Sequence, residues 1–149
     1  MRKFGNTRME IKRVGFGGIP IQRISQEDTN KVIDELEKCG VNFIDTARGY
    51  TISEEYLGNA LKGRREKFYI ATKSMSRDYE SMKKDIEISL KNLQTDYIDL
   101  YQMHNVKPAE YDTIFGEDRA YRALLEAKEA GKIKHIGITS HGLETVEKA

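Results

Sequence analysis

Polar and apolar positions in this chain alternate between two periods. Short apolar runs occur at Val14-Gly15-Phe16-Gly17, Val41-Asn42-Phe43-Ile44, Phe68-Tyr69-Ile70-Ala71-Thr72, Tyr97 to Met103 and Lys134 to Ile138, and they read as five strands. Between them, stripes at three- and four-residue spacing read as helices. These are Val32, Ile33, Leu36 and Cys39; Tyr56, Leu57, Ala60 and Leu61; Met82, Ile86, Leu90 and Leu93; and Ala120, Tyr121, Leu124 and Leu125. Ser25 and Ser53 stand where helix caps belong, and Gly40, Gly63 and Gly131 stand where helices stop. Cys39 falls on the apolar stripe of its helix and is expected in the core. Ahead of the first strand, Arg2 to Phe4 and Met9 to Lys12 flank Gly5-Asn6-Thr7-Arg8, the pattern of a small hairpin. A loop is expected from Asn105 to Gly116, and a sixth helical segment from about Gly142.

Strands separated by helices require a parallel sheet, because each crossover returns the chain to the same end. A doubly wound sheet would carry a glycine-rich phosphate loop after its first strand. Here Pro20 stands where the third glycine of G-x-G-x-x-G belongs. The remaining architecture is a TIM-type (β/α)8 barrel, which takes roughly 250 residues and eight units. The expectation is an α/β chain in which residues 1–149 form the N-terminal part of one barrel domain. It comprises strands one to five with an N-terminal β-hairpin, ending in the helix after the fifth strand.

Composition narrows the function classes. Hydrophobic residues make up 38% and charged residues 33%, and the net charge is +1, so no global charge draws the chain to nucleic acid or to an anionic membrane. Arg64, Arg65 and Lys67 are expected to be solvated. Cys39 is the only cysteine, which excludes an internal disulfide or a multi-cysteine metal site, and no metal centre is expected. No run approaches the ~18 apolar residues of a membrane span. With no apolar stretch after Arg2, Lys3 and Arg8, a cytoplasmic location is expected.

The chemistry lies at the strand ends. Asp45 and Tyr50 follow the second strand, Lys73 ends the third and His104 ends the fourth. In a parallel barrel this is the face on which the βα loops open and active sites form. The four residues suit proton transfer to a carbonyl oxygen. A free phenol titrates near ~10, and a neighbouring ammonium favours the phenolate. Asp45 can hold Lys73 charged, and His104 can hydrogen-bond the substrate carbonyl. No serine or cysteine nucleophile accompanies them, so the reducing equivalent is expected from a nicotinamide cofactor.

Several stretches carry a family resemblance. They are Gly15-Phe16-Gly17-Gly18, Phe43-Ile44-Asp45-Thr46-Ala47-Arg48-Gly49-Tyr50, Ser53-Glu54-Glu55-Tyr56-Leu57-Gly58 and Ala71-Thr72-Lys73, followed by Asp96 to His104 and Lys132 to Ser140. In that order they resemble the N-terminal half of an aldo-keto reductase. They are similar in style to a microbial subgroup that often carries a C-terminal iron–sulfur module, although no such cluster is expected here. The resemblance implies an NADP(H)-dependent oxidoreductase that reduces an aldehyde or ketone to an alcohol. Tyr50 would be the proton donor, Lys73 and Asp45 would tune it, and His104 would orient the substrate. It places Asp45 near the nicotinamide ribose and Thr139 and Ser140 at the carboxamide, with Ser140 standing where many members have asparagine. Gly17 and Gly18 would allow close backbone approach. In the family, the C-terminal half supplies most of the cofactor groove.

Two alternatives remain at this level. One is a non-catalytic half-barrel whose first and fifth strands are open edges that pair with another copy or a complementing partner. The other is a cofactor-sensing regulatory subunit. The expected partner of the leading reading is a small carbonyl substrate.

Overall fold

A computed structural model, describing residues 1–149, places the five expected strands in one parallel sheet whose order follows the chain. Arg2–Lys3 (β1) and Glu10–Ile11 (β2) pair antiparallel as the expected hairpin. The sheet then runs Phe16–Gly17 (β3), Phe43–Asp45 (β4), Tyr69–Ser74 (β5), Ile98–Met103 (β6) and Ile133–Ile138 (β7), each bonded to the next. A sequential order with helical crossovers is the barrel pattern, since a doubly wound sheet must reverse its order at a switch point.

The helices are Gln26–Lys38 (α1), Ser53–Ala60 (α2), Tyr79–Leu93 (α3), Pro108–Tyr111 (α4), Ala120–Glu129 (α5) and Leu143–Lys148 (α6). Their apolar stripes pack on the sheet and on one another. Ile33, Leu57, Leu61, Met82, Ile86, Leu93 and Leu124 join Ile44, Ile70, Ile98 and Tyr101 in one core. Each fully buried aliphatic side chain contributes ~1.5–3 kcal/mol. The α2–α3 crossing is tight. A Cβ on Gly58 would stand 2.1 Å from the Asn92 carbonyl oxygen, so only glycine lets the two helices approach this closely.

Several expectations are corrected. Cys39 is exposed, because it caps the C-terminus of α1 beyond the buried stripe. Ser25 caps α1 by accepting from Asp28 N, but Ser53 is not a cap. It begins α2 with its hydroxyl buried, donating to Gly18 O at 2.9 Å and sharing a bond with Thr46. Arg64 and Arg65 are not solvated. Arg64 pairs with Asp34 and Glu37, and Arg65 lies 2.8 Å from the buried Asp99. The 105–116 loop holds α4 and a 3-10 turn over Asp112–Phe115, and a second 3-10 turn spans Ile19–Arg23.

Candidate active site

The parallel ladder continues past the ends of the strands, and this continuation sets the candidate residues. Asp45 closes β4 in register with Gly17 of β3. Beyond it, Thr46 N donates to Ala71 O (2.8 Å) and Arg48 N to Lys73 O (2.9 Å), so the segment leading to Tyr50 runs alongside β5. Tyr50 N then donates to Ala47 O and Ser53 N to Tyr50 O, turning the chain into α2. Lys73 lies within β5, and His104 follows β6 with its amide on Ser74 O at 2.8 Å.

These backbone positions bring the four side chains together. Lys73 is buried, and its Nζ donates to Asp45 Oδ2 (2.7 Å) and to Thr46 O (2.7 Å). An ammonium has three protons, so one remains for a further partner. Nζ also stands 5.0 Å from the centre of the Tyr50 ring. The Tyr50 and His104 rings meet edge to face, with centroids 6.0 Å apart and planes at 83°. The Tyr50 hydroxyl and the His104 ring nitrogens have no hydrogen bond within the chain, and Asp45 Oδ1 is likewise free. Burial and then the positive charge of Lys73 lower the His104 pKa; Arg77 and His141 add to this and Asp45 opposes it. The imidazole is therefore neutral at pH 7, with one N–H able to donate.

A second polar cluster lies behind this face. Glu54, 1% exposed, accepts from Thr72 Oγ1 (2.7 Å), Ser89 Oγ (2.7 Å) and Arg48 Nη1 (2.9 Å). Asp85 accepts from Ser74 Oγ (2.5 Å) and Ser76 Oγ (2.7 Å), with Arg48 Nε at 3.6 Å. Arg48 thus ties the Tyr50 segment to α2 and α3. Burial keeps Tyr101, beside Ser89, protonated. The sequence reading assigned these residues no role. The available signal was Glu54 itself, a carboxylate in step with Leu57, Gly58 and Leu61 on the buried side of α2.

The expected cofactor residues also reach this end of the sheet. Gly18 N donates to Asp45 O at 2.7 Å, and a Cβ on Gly18 would stand 3.2 Å from that oxygen, so Gly18 serves close strand approach. Gly17 has open space around it. Thr139 Oγ1 accepts from Asn105 N (2.8 Å), which leaves its own proton free. Ser140 Oγ donates to Val106 O (2.7 Å) and accepts from Gly142 N (3.1 Å), which leaves one lone pair. Thr139 thus keeps one free donor and Ser140 one free acceptor. A cavity of about 700 Å³ lies elsewhere, along the free edge of β7, lined by His135, Ile136 and Ile138 of that strand and by Phe115 and Tyr121 among others.

Comparisons with known proteins find matches over most of the chain. A family model described as the aldo/keto reductase family matches residues 13–149. The chain is 33% identical to the L-galactose dehydrogenase of Arabidopsis thaliana, covering 97% of this chain and 49% of that protein. It is also 33% identical to the methylglyoxal reductase DkgA of Escherichia coli strain K12, covering 88% of this chain and 47% of that one. The chain thus spans about half the length of the curated relatives it matches. Among solved structures, the holo form of an aldo-keto reductase from Bacillus halodurans superposes with a TM-score of 0.84 at 30% identity, over 99% of this chain and 52% of that one. An aldo-keto reductase of Klebsiella pneumoniae in complex with NADPH shares the fold, with a TM-score of 0.80 at 23% identity over 92% and 48%.

Proposed function

Because this chain belongs to the aldo/keto reductase family, we propose that it carries the acid–base part of a site that reduces an aldehyde or ketone to an alcohol with NADPH. The observation that carries the reading is the set of unspent groups around Lys73: the Tyr50 hydroxyl, the neutral His104 ring and the third ammonium proton.

In this reading Tyr50 donates its proton to the carbonyl oxygen as that oxygen becomes an alkoxide. Lys73, hydrogen-bonded to Asp45 and to Thr46 O, stabilises the phenolate left behind. His104 donates its N–H to the same oxygen, fixing which face of the carbonyl is presented. Asp45 Oδ1, the Thr139 hydroxyl proton and the free Ser140 lone pair are the groups that would hold the nicotinamide end of the cofactor. When bound, that cofactor supplies the hydride to the carbonyl carbon.

Consumption of NADPH with methylglyoxal, the substrate in the name of one relative, tests the proton donor. Tyr50→Phe is expected to lower kcat by ~10²–10⁴-fold. Unchanged turnover would overturn the assignment.

The apolar cavity along the β7 edge favours a second reading in which this chain works only when further strands cover that edge. NADPH titration of the isolated chain separates the two. Affinity supports the first; absent affinity, restored when a complementing segment is supplied, supports the second.

A further inference from the structure

Arg77 is the one cation near the site that neither the Lys73–Asp45 pair nor the Glu54 cluster employs. Its side chain is about one-fifth exposed, and it is saturated by the backbone. Nη2 donates to His104 O (2.7 Å) and Asn105 O (3.2 Å), and Nη1 to Met75 O (3.0 Å) and Ser76 O (3.3 Å). Nε approaches Glu110 Oε2 at 3.3 Å, and that carboxylate also accepts from Lys107 N at the start of α4. One planar fork therefore joins the loop leaving β5, the loop leaving β6 and the first turn of α4.

We propose that Arg77 is a positioning residue for His104, fixing the imidazole by clasping its own carbonyl and the next one to the loop that follows Lys73. The proposal rests on the reading of His104 as the group facing the substrate oxygen. Two features of the backbone support it. Asn105 has φ +53°, the left-handed conformation that asparagine adopts more readily than other side-chain-bearing residues, and it turns the chain directly after His104. In that conformation the carbonyls of residues 104 and 105 both meet a single Nη2, so the guanidinium stabilises the turn that aims His104. Apart from this clasp, residue 104 is tied by its amide on Ser74 O and the edge-to-face contact with Tyr50. A lysine could not replace the fork, because an ammonium lacks the planar donor pairs that serve two loops at once.

Charge follows geometry. The groups facing the imidazole are Lys73 and Asp45 from the sheet, Arg77 and His141 from the loops, and the Tyr50 ring. Burial, Lys73, Arg77 and His141 favour the neutral ring, and Asp45 opposes them. Arg77 thus holds the ring in place and helps keep its N–H a neutral donor.

The test is NMR on the imidazole-labelled chain, parent against Arg77→Met and Arg77→Lys, with no cofactor or substrate required. In Arg77→Met the His104–Tyr50 ring NOE is expected to disappear and the His104 titration to move up toward that of free histidine. Arg77→Lys should keep part of the titration but lose the NOE. Under turnover, kcat should fall by roughly tenfold to a hundredfold with KM changed less, as for a misplaced catalytic group. A folded Arg77→Met that keeps both the NOE and the titration overturns the proposal. If that variant does not fold, Arg77→Lys decides by the same NOE. If neither folds, Glu110→Ala, which removes the acceptor that seats Nε, decides: an NOE that weakens supports the clasp, and one that stays overturns it. Failure of the catalytic reading looks different: the NMR changes occur while the parent itself turns over no carbonyl.

Discussion

Glu54 and Asp45 are both carboxylates held by a cation, and they differ in how many of their hydrogen-bonding positions are filled. Glu54 is 1% exposed and takes donors from β5, α3 and the Tyr50 segment, using both oxygens. The side chain of Asp45 is 36% exposed and takes Lys73 on one oxygen only. The cluster around Glu54 is nearly filled, with Arg48 Nε already without a hydrogen-bond partner, and removing Glu54 strands three further donors. The Asp45–Lys73 pair keeps free positions on its open side, toward Tyr50 and His104. The Glu54 cluster fixes the loop, and the Asp45–Lys73 pair keeps a carboxylate oxygen and an ammonium proton unspent.

Removing one partner from each cluster tests that contrast most strongly. Glu54→Ala strands Arg48, Thr72 and Ser89 and is expected to cost about 3–5 kcal/mol of unfolding free energy by urea titration. Lys73→Met should stay within about 1 kcal/mol of the parent, because Asp45 is open to water once its partner is gone. Equal costs for the two variants would show that the two carboxylates are equally dependent on their partners.

Thr51 is strained in the backbone of the same loop. This β-branched residue follows Tyr50 with φ +43°, a conformation that disfavours branched side chains. Thr51→Asn should raise unfolding free energy by about 0.5–1 kcal/mol. A loss of stability would show that the loop stores no strain there.

The smallest expected effect is that of pH. Burial, with Lys73 second, lowers the His104 pKa, and burial lowers that of His135. Both groups bind protons more readily unfolded than folded. Their contribution is therefore complete above the ordinary imidazole value of ~6.5 and is lost as pH falls below it toward the folded values. His104→Gln should flatten part of that acid slope, and replacing His135 as well should flatten more. An unaltered slope in the double variant would overturn the burial argument.

What could be read from the sequence follows from the range over which its causes act. Strand ends and helix stripes are local, so Asp45, Lys73 and His104 came out at the same end of the sheet from periodicity alone. Ser25 was legible as a cap because its partner, Asp28, lies within one turn. Ser53 has the same chemistry but bonds to Gly18, which only the folded sheet brings near. The same applies to Arg65, whose partner Asp99 lies on β6, and to Arg77, which reads carbonyls two loops away. Cys39 matched the spacing of its helix, but α1 ends one residue earlier, and a cap residue does not follow the stripe.

The sequential strand order also bears on how the molecule assembles. Phe16 pairs with Ile44, Ile44 with Ile70, Ala71 with Leu100 and Leu100 with His135, so each strand waits only for the unit made immediately after it. Loop closure costs rise by only ~0.6 kcal/mol per doubling of length, and no pairing here spans more than one strand–helix unit. The chain can therefore dock unit by unit as it leaves the ribosome, N-terminal part first. Asp45, Lys73 and His104 sit on three consecutive units, so they are brought together in the order in which they are synthesised.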